Sequence, residues 1–477
     1  MATQAWSVRG RVRAPTVPPL NTVVRPPDYE NGLTVPPLEP AAQVTTHTRA
    51  EACAEPSANR VGEESLLDEE GRRDIYVEGN LRPDHFHNHG RITYSNVSPS
   101  DLDAIHAGIP VFKPTLRLFN DLFTFIRHMK PWGELYGAVK VIPPARWCAQ
   151  AIPFDPPKGL DIIRYYSQRP SRVPKKNDWY KVMYTAEDSS TSNAEEPAFP
   201  PVAWDDWVAE DVYPAESFKS LSPEDRQRIE SQVLLQQAAR TASRYATSLN
   251  GSVFPPTLQD PGVRWHMNYL SNPLQALQRC EGINTSFIYL GSYGSSFEWH
   301  AEDLLSYSMN WVQWGADKLW YVVAPGDLEA WEAEVRNDLV SSYTAKKYKN
   351  TCHNFLRHKD LSIHKGVIES MGYKTNAVFQ HAGEMIITFP RGVHSGFNLG
   401  TNLAEAQNFC TPDWLEETFP SCKRAYQCPE ACALDLYSLD LEPLELLRER
   451  LRLGESWEQI CGGMVMQETT NARAMWQ

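Results

Sequence analysis

The chain reads as mainly β with surrounding helices, its strands gathered into a sandwich or barrel-like double sheet. Two observations predict this. Between Tyr245 and Trp414, short apolar segments alternate with turns, and Phe287–Leu290, Met309–Trp314, Lys318–Val323 and Met385–Phe389 each read as strands. Gly315-Ala316-Asp317 reads as a hairpin turn between the second and third of these. Many short strands with such punctuation mark a doubled or closed sheet.

The helices flank this region. Pro114-Thr115 precedes Leu116, Leu118, Phe119, Leu122, Phe123 and Ile126, a helical period with proline near its first turn. Val139, Val141 and Ile142 follow as a short strand before Pro143-Pro144, so Gly108 to Trp147 forms one small unit. Near the end, Leu444, Leu446, Leu447, Leu451 and Leu453 predict an amphipathic helix over 440–454, stopped by Gly454 and packed against the core.

Length and composition bound the rest. The 477 residues, 42% hydrophobic and 11% aromatic, suffice for a large core. Nine of the 36 prolines fall in the first sixty residues, which predicts an extended, solvated tail over 1–75. Arg9, Arg11 and Arg13 in that tail read as solvated charge, with a role in nuclear import or chromatin contact as the sharper alternative. No run of eighteen apolar residues and no charged-then-apolar amino terminus occurs, so neither a membrane span nor a signal peptide is expected. Nine cysteines, an odd number, read as reduced thiols or metal ligands rather than a disulfide framework. A net charge of -13 argues against a phosphate-tracking nucleic-acid binder and suits a basic partner. The acidity is local: 187–230 holds twelve Asp/Glu against three Lys/Arg, and 186–204 reads as a loop insertion.

The chemistry centres on Trp299-His300-Ala301-Glu302-Asp303. Residues two apart on a strand share a face, so His300 and Glu302 can converge on one ion. A distant second histidine completes a 2-His-1-carboxylate triad, which leaves positions open on Fe(II). His394 is the candidate, set among small residues in Arg391-Gly-Val-His394-Ser-Gly-Phe-Asn398. Lys318, on the next hairpin arm, offers an ammonium to a carboxylate, with Asn310 and Tyr245 as neutral donors. Cys352-x5-His358 and Cys428-x3-Cys432 compose a closed Cys3His set suited to structural zinc, with Cys422 a rival ligand. His85-Phe-His87-Asn-His89 reads as a surface loop.

Here the motifs become recognisable. Gly108-Ile-Pro-Val-Phe-Lys-Pro-Thr through Val141-Ile-Pro-Pro-Ala-Arg-Trp147 resembles a JmjN domain, placed over 105–148. Phe297-Glu-Trp-His-Ala-Glu-Asp through Gly315-Ala-Asp-Lys318-Leu-Trp320-Tyr321, with Ala382-Gly-Glu-Met-Ile-Ile-Thr-Phe-Pro-Arg-Gly-Val-His394 through Asn408-Phe409, resembles the two halves of a JmjC domain over 245–415. A mixed linker with the acidic insertion spans 149–244, and a zinc-site segment with helices spans 416–477. The chain is similar to the JmjN/JmjC histone lysine demethylases, most of all subfamily four.

That resemblance implies a double-stranded β-helix core, cupin-like, with iron held by His300, Glu302 and His394. It implies 2-oxoglutarate contacts from Tyr245, Phe297, Asn310, Lys318 and Trp320. It places Gly282, Tyr289 and Asn408 at the methylated ammonium, with Ala406 beside them, and Cys352, His358, Cys428 and Cys432 at zinc. The implied reaction removes methyl groups from di- or trimethylated lysine 9 or lysine 36 of histone H3, in the nucleus, on chromatin, with formaldehyde and succinate as products. Ala406-Gln407, where many subfamily-four members carry Ser-Thr, and Phe409-Cys410-Thr411 with Arg391 and Ser395 favour lysine 4 as the runner-up. A catalytically silent chromatin scaffold and a protein side-chain hydroxylase are the other readings. No sequence-specific DNA-binding motif and no reader module is visible.

Overall fold

The computed structural model describes residues 75–78 and 109–461, less 155–160, 164–165, 174, 186–201, 210, 212–219, 240–242, 343–355, 357–358 and 423–438. The expected tail over 1–74, the His85–His89 loop and the four zinc candidates lie outside the described residues. All described residues belong to one unit, 43–477.

In chain order the amino-terminal elements are β1 (Ile75–Glu78), β2 (Val111–Pro114), α1 (Leu116–Phe119), α2 (Leu122–Tyr136), β3 (Ala138–Val141) and α3 (Ala145–Cys148). The single helix expected here is two. Thr115 and Asp121 cap α1 and α2, accepting the backbone N–H groups of Leu118 and Thr124. Between them Asn120 turns its amide to the Gly262 carbonyl (2.8 Å) and the Arg264 N–H (3.0 Å), fixing the break to a distant loop.

The middle of the chain supplies β4 (Asp161–Ile163), β5 (Tyr166–Arg172), β6 (Trp179–Thr185), β7 (Val202–Ala203), α4 (Trp204–Val208), α5 (Pro223–Ala238) and β8 (Ser243–Asn250). Then come β9 (Phe287–Gly291), β10 (Ser296–His300), β11 (Tyr307–Gly315), β12 (Lys318–Val323), α6 (Leu328–Ser342), β13 (Leu361–Ile363) and α7 (Lys365–Ser370). β14 (Asn376–Gln380), β15 (Met385–Thr388), β16 (Val393–Asn398) and β17 (Asn402–Phe409) close the sheets. Short α8 (Pro412–Glu417) and α9 (Phe419–Cys422) precede α10 (Glu442–Arg452) and α11 (Trp457–Cys461).

Two sheets carry the core. The large one has eleven strands in the order β1-β2-β3-β15-β11-β17-β9-β8-β5-β6-β13, and the small one runs β10-β16-β12-β14. Their inner faces meet: Trp320, Val322 and Val378 of the small sheet pack with Ile386, Ala138 and Ile109 on the side of the large one. This is a jelly-roll, cupin-like double sheet, as the strand pattern predicted.

The amino-terminal unit is built into that sheet. β3 pairs antiparallel with β15, Ala138 opposite Thr388 and Val141 opposite Met385. Buried Trp147 then gathers Phe119, Phe254, Trp265 and Trp311 at ring-centroid distances of 4.9–5.5 Å, tying α1, the 254–265 loop and β11 into one aromatic core. The turn from β11 to β12 is the expected hairpin. Gly315 sits at φ +101, and a Cβ there would meet the Thr401 carbonyl at 2.3 Å, so glycine is required twice over.

The leucine-rich helix forms at 442–452 and ends before Gly454 (φ 92). Leu444 and Leu447 are buried as expected, whereas Leu446 and Leu453 face outward.

Candidate metal and co-substrate site

The small sheet lays out the site by register. Lys318 stands opposite Asn398, Trp320 opposite Gly396 and Val322 opposite His394. On the other side of β16, Phe297 pairs with Gly396 and His300 with His394. Gly396 and His394 are two apart and share a face, so Phe297 and His300, three apart, must share it too. A bulge between them makes this possible by adding one residue to β10. Simple alternation would have sent Phe297 and His300 to opposite faces.

His300 and His394 are therefore neighbours, with ring centroids 4.3 Å apart. Each ring has its Nδ1 on a backbone carbonyl, Glu298 O at 2.6 Å and Gly392 O at 3.1 Å. Nδ1–H donates in each case, which leaves both Nε2 atoms as acceptors for a metal. Glu302 lies past the end of β10 on extended backbone, and its Oε1 is 3.3 Å from His394 Nε2 and 3.8 Å from His300 Nε2. Immediately after it, Leu304 (φ 60) and Leu305 (φ 47) adopt the left-handed region. That strained turn swings the chain away once the carboxylate is placed.

The three ligand atoms lie within 4.8 Å of one another. Two imidazoles and one carboxylate fit Fe(II), with positions left open. The electrostatics agree. Burial works against the charge on Glu302, yet its neighbours His394 and Lys359 hold it below the usual carboxylate range. Burial, with the charges of His394 and Lys359, keeps His300 neutral far below the ordinary imidazole range.

A second group of residues surrounds a buried ammonium. Lys318 is 1% exposed, and its Nζ donates to Asn398 Oδ1 at 2.7 Å. Burial pushes it down to about 7. The Tyr245 and Phe297 rings lie 5.7 and 5.9 Å from that nitrogen. Burial, then the neighbouring Tyr289, keeps the Tyr245 phenol protonated, and it is hydrogen-bonded to Asn398. Asn310 Oδ1 is buried without a partner, an orphan acceptor suited to a ligand or its water. Trp320 anchors its indole N–H on Gln380 (2.8 Å) and packs on Phe297 at 4.5 Å. An ammonium among neutral polar side chains suits a small anion, and the adjoining triad suits one that chelates.

The residues expected at the methylated ammonium come from the large sheet. Ala406 pairs with Asn310 and with Phe287, Asn408 with Ser308, and Tyr289 with Ala404, which puts Tyr289, Ala406, Asn408 and Asn310 on one face. Gly282 (φ 76) lies in the preceding loop against the Phe287 ring. Cys422, the rival zinc ligand, is buried in α9 with its sulfur 2.7 Å from the Leu304 carbonyl.

Three residues escaped the sequence reading. Lys359 reaches Asp303 at 3.4 Å and bears on both Glu302 and His300. Its only signal was an acid, Asp303, beside Glu302 of the triad. Asn398 closes the Lys318 pocket from within the His394 motif. Glu298 is buried behind β10 on Ser296 and pushed up to about 7, first by burial.

This fold and constellation agree with the family matches: "JmjC domain, hydroxylase" matches residues 287–409, and "jmjN domain" matches 110–143. More particularly, the chain resembles lysine-specific demethylases of subfamily four. It is 30% identical to "Probable lysine-specific demethylase 4F" of Homo sapiens over 345 residues, 70% of this chain and 48% of the relative. It is 30% identical over 364 residues to "Lysine-specific demethylase 4D" of Rattus norvegicus (74% and 64%). To "Lysine-specific demethylase 4B" of Mus musculus it is 31% identical over 220 residues (45% and 19%). The matched stretch thus spans less than two thirds of each relative's length.

Proposed function

We propose that the protein is an Fe(II)- and 2-oxoglutarate-dependent histone lysine demethylase of the nucleus, acting on di- or trimethylated lysine 9 or lysine 36 of histone H3. The observation that carries this reading is the pairing of a buried His-Glu-His triad with the uncompensated Lys318 ammonium on one inner face. His300, Glu302 and His394 hold the metal. Lys318, with Tyr245 and Asn310, takes the far carboxylate of the co-substrate, while Phe297 and Trp320 wall it from water. Tyr289, Gly282, Ala406 and Asn408 receive the methylated ammonium through oxygen atoms and a small methyl wall, weak contacts that count only together. Iron held by His300, Glu302 and His394 would supply the chemistry that couples oxidative decarboxylation of 2-oxoglutarate by dioxygen to hydroxylation of an N-methyl group. The hydroxymethyl amine then releases formaldehyde, leaving succinate, carbon dioxide and an amine with one methyl fewer.

Lysine 4 is the second reading, favoured by Ala406-Gln407 and by Phe409-Cys410-Thr411 with Arg391 and Ser395. Retention of all three iron ligands and of Lys318 weighs against a silent scaffold. Cys352, His358, Cys428 and Cys432 are proposed to bind structural zinc; unchanged zinc content in Cys428→Ser would transfer that place to Cys422. The deciding experiment incubates the protein with Fe(II), 2-oxoglutarate and a panel of methylated H3 peptides, read by mass spectrometry. Stepwise loss of one methylene's mass, as each N-methyl becomes N–H, is expected at lysine 9 or 36. Turnover at lysine 4 alone would overturn the substrate assignment, and none at any position would return the scaffold reading.

A further inference from the structure

Lys318 has a neutral partner where a buried ammonium ordinarily has a carboxylate. Asn398, 0% exposed, gives its Oδ1 to Lys318 Nζ (2.7 Å) and also accepts from Asn402 Nδ2 (2.9 Å). Its Nδ2 donates to Ser295 Oγ (2.8 Å) and to the Ser295 carbonyl (3.2 Å). Donors thus face the oxygen and acceptors face the nitrogen, so the amide has one orientation only. Tyr245 is hydrogen-bonded to the same side chain. Glycine at 291 makes room for it, since a Cβ there would come within 2.6 Å of Asn398 Cγ.

We propose that Asn398 is a positioning residue that makes the pocket selective for a dicarboxylate: it aims Lys318 and Tyr245 while leaving the ammonium charge free for the ligand. A carboxylate at 398 would occupy the same volume and could still accept from Lys318 through one oxygen, while its other oxygen would lose the donation to the Ser295 carbonyl. It would also cancel the charge that the ligand's far carboxylate needs and repel that carboxylate directly. An amide orients without neutralising. The inference rests on the reading of the site as one for 2-oxoglutarate and adds to it the residue that sets the charge requirement.

The test uses the full chain loaded with Mn(II), with calorimetric binding of 2-oxoglutarate and of 2-oxobutanoate, which lacks the far carboxylate. Asn398→Asp is expected to weaken 2-oxoglutarate at least tenfold and to leave 2-oxobutanoate within about threefold, because only the former meets Lys318. Unchanged 2-oxoglutarate affinity, or equal loss for both acids, would overturn the proposal. Asn398→Ser, neutral and smaller, provides a second arm: weakening of 2-oxoglutarate by threefold or more supports the aiming role, and parental affinity refutes it. A parent protein that binds neither acid would refute the reading of the site and this role together. One that binds 2-oxoglutarate while both variants match it would refute the role alone.

Discussion

At the residue scale the site is governed by what its charges lack. Glu302 lies beside His394 and Lys359 and stays ionised, whereas Lys318, among the described residues, has the Asn398 amide and no carboxylate. His300→Ala removes an acceptor from the triad without opening the sheet, so turnover should vanish while the circular dichroism and melting profile persist; unfolding of that variant would make the residue structural. Glu405 shows the opposite situation, a buried acid with no cation beside it among the described residues. It is 0% exposed, hydrogen-bonded by Ser252 Oγ (2.8 Å) and the Val253 N–H (2.8 Å), and pushed up to about 7 by burial. Its folded value lies above its unfolded one, so its contribution is full below about pH 4.5 and is lost as pH rises through about 7. That loss is on the order of 3 kcal/mol at high pH. Glu405→Gln should therefore gain stability relative to the parent between pH 5 and pH 8.5. Parallel stability curves in denaturant at the two pH values would disprove it.

At the element scale, the hairpin that carries Lys318 is clamped by alternating charges. Lys140 of β3 pairs with Glu384 (2.9 Å), whose carboxylate also accepts the His381 N–H (2.8 Å). His381 meets Asp317 at 2.8 Å, and Arg226 of α5 meets Asp317 at 3.3 Å. The chain runs from the JmjN strand, through two turns of the JmjC core, to a linker helix. Lys140→Met leaves Glu384 buried without its cation, and the expected cost is about 3–5 kcal/mol in urea unfolding. An unchanged midpoint would mean that the clamp contributes nothing. Gly315→Val, in the hairpin turn itself, should fail more severely, because both its φ and its contact with Thr401 exclude a side chain. Recovery of soluble, ligand-binding protein from that variant would contradict the geometry.

At the scale of the whole molecule, JmjN and JmjC share one sheet and one core, so each needs the other to bury its apolar face. The net charge of -13, with Asp205, Asp206 and Glu224 exposed on α4 and α5, predicts electrostatic attraction of a basic peptide. Peptide KM should rise with salt between about 50 and 300 mM as screening shortens to several ångströms, while kcat holds. A KM indifferent to salt would leave the acidity as a solvated face.

The strands, the hairpin turn and the terminal helix were legible in the sequence because their signals are local: alternation, turn residues, a helical period. His300 and Glu302 were legible because a metal-binding set restricts residue types to a few, here two apart. Their resemblance to JmjC motifs then joined segments 94 residues apart, His300 to His394. Two things stayed hidden for a common reason. The β10 bulge that turns Phe297 and His300 to one face depends on the partner strand, and no local pattern announces it. Asn398 and Lys359 take their roles from groups 80 and 56 positions away, so their charge environment exists only once the sheets have closed. By itself the sequence determined the double sheet and the residue types of the His-Glu-His set, since propensity and ligand type belong to residues. Only the tertiary structure decided which way each side chain points and which charges go unanswered, because burial and register belong to the folded chain.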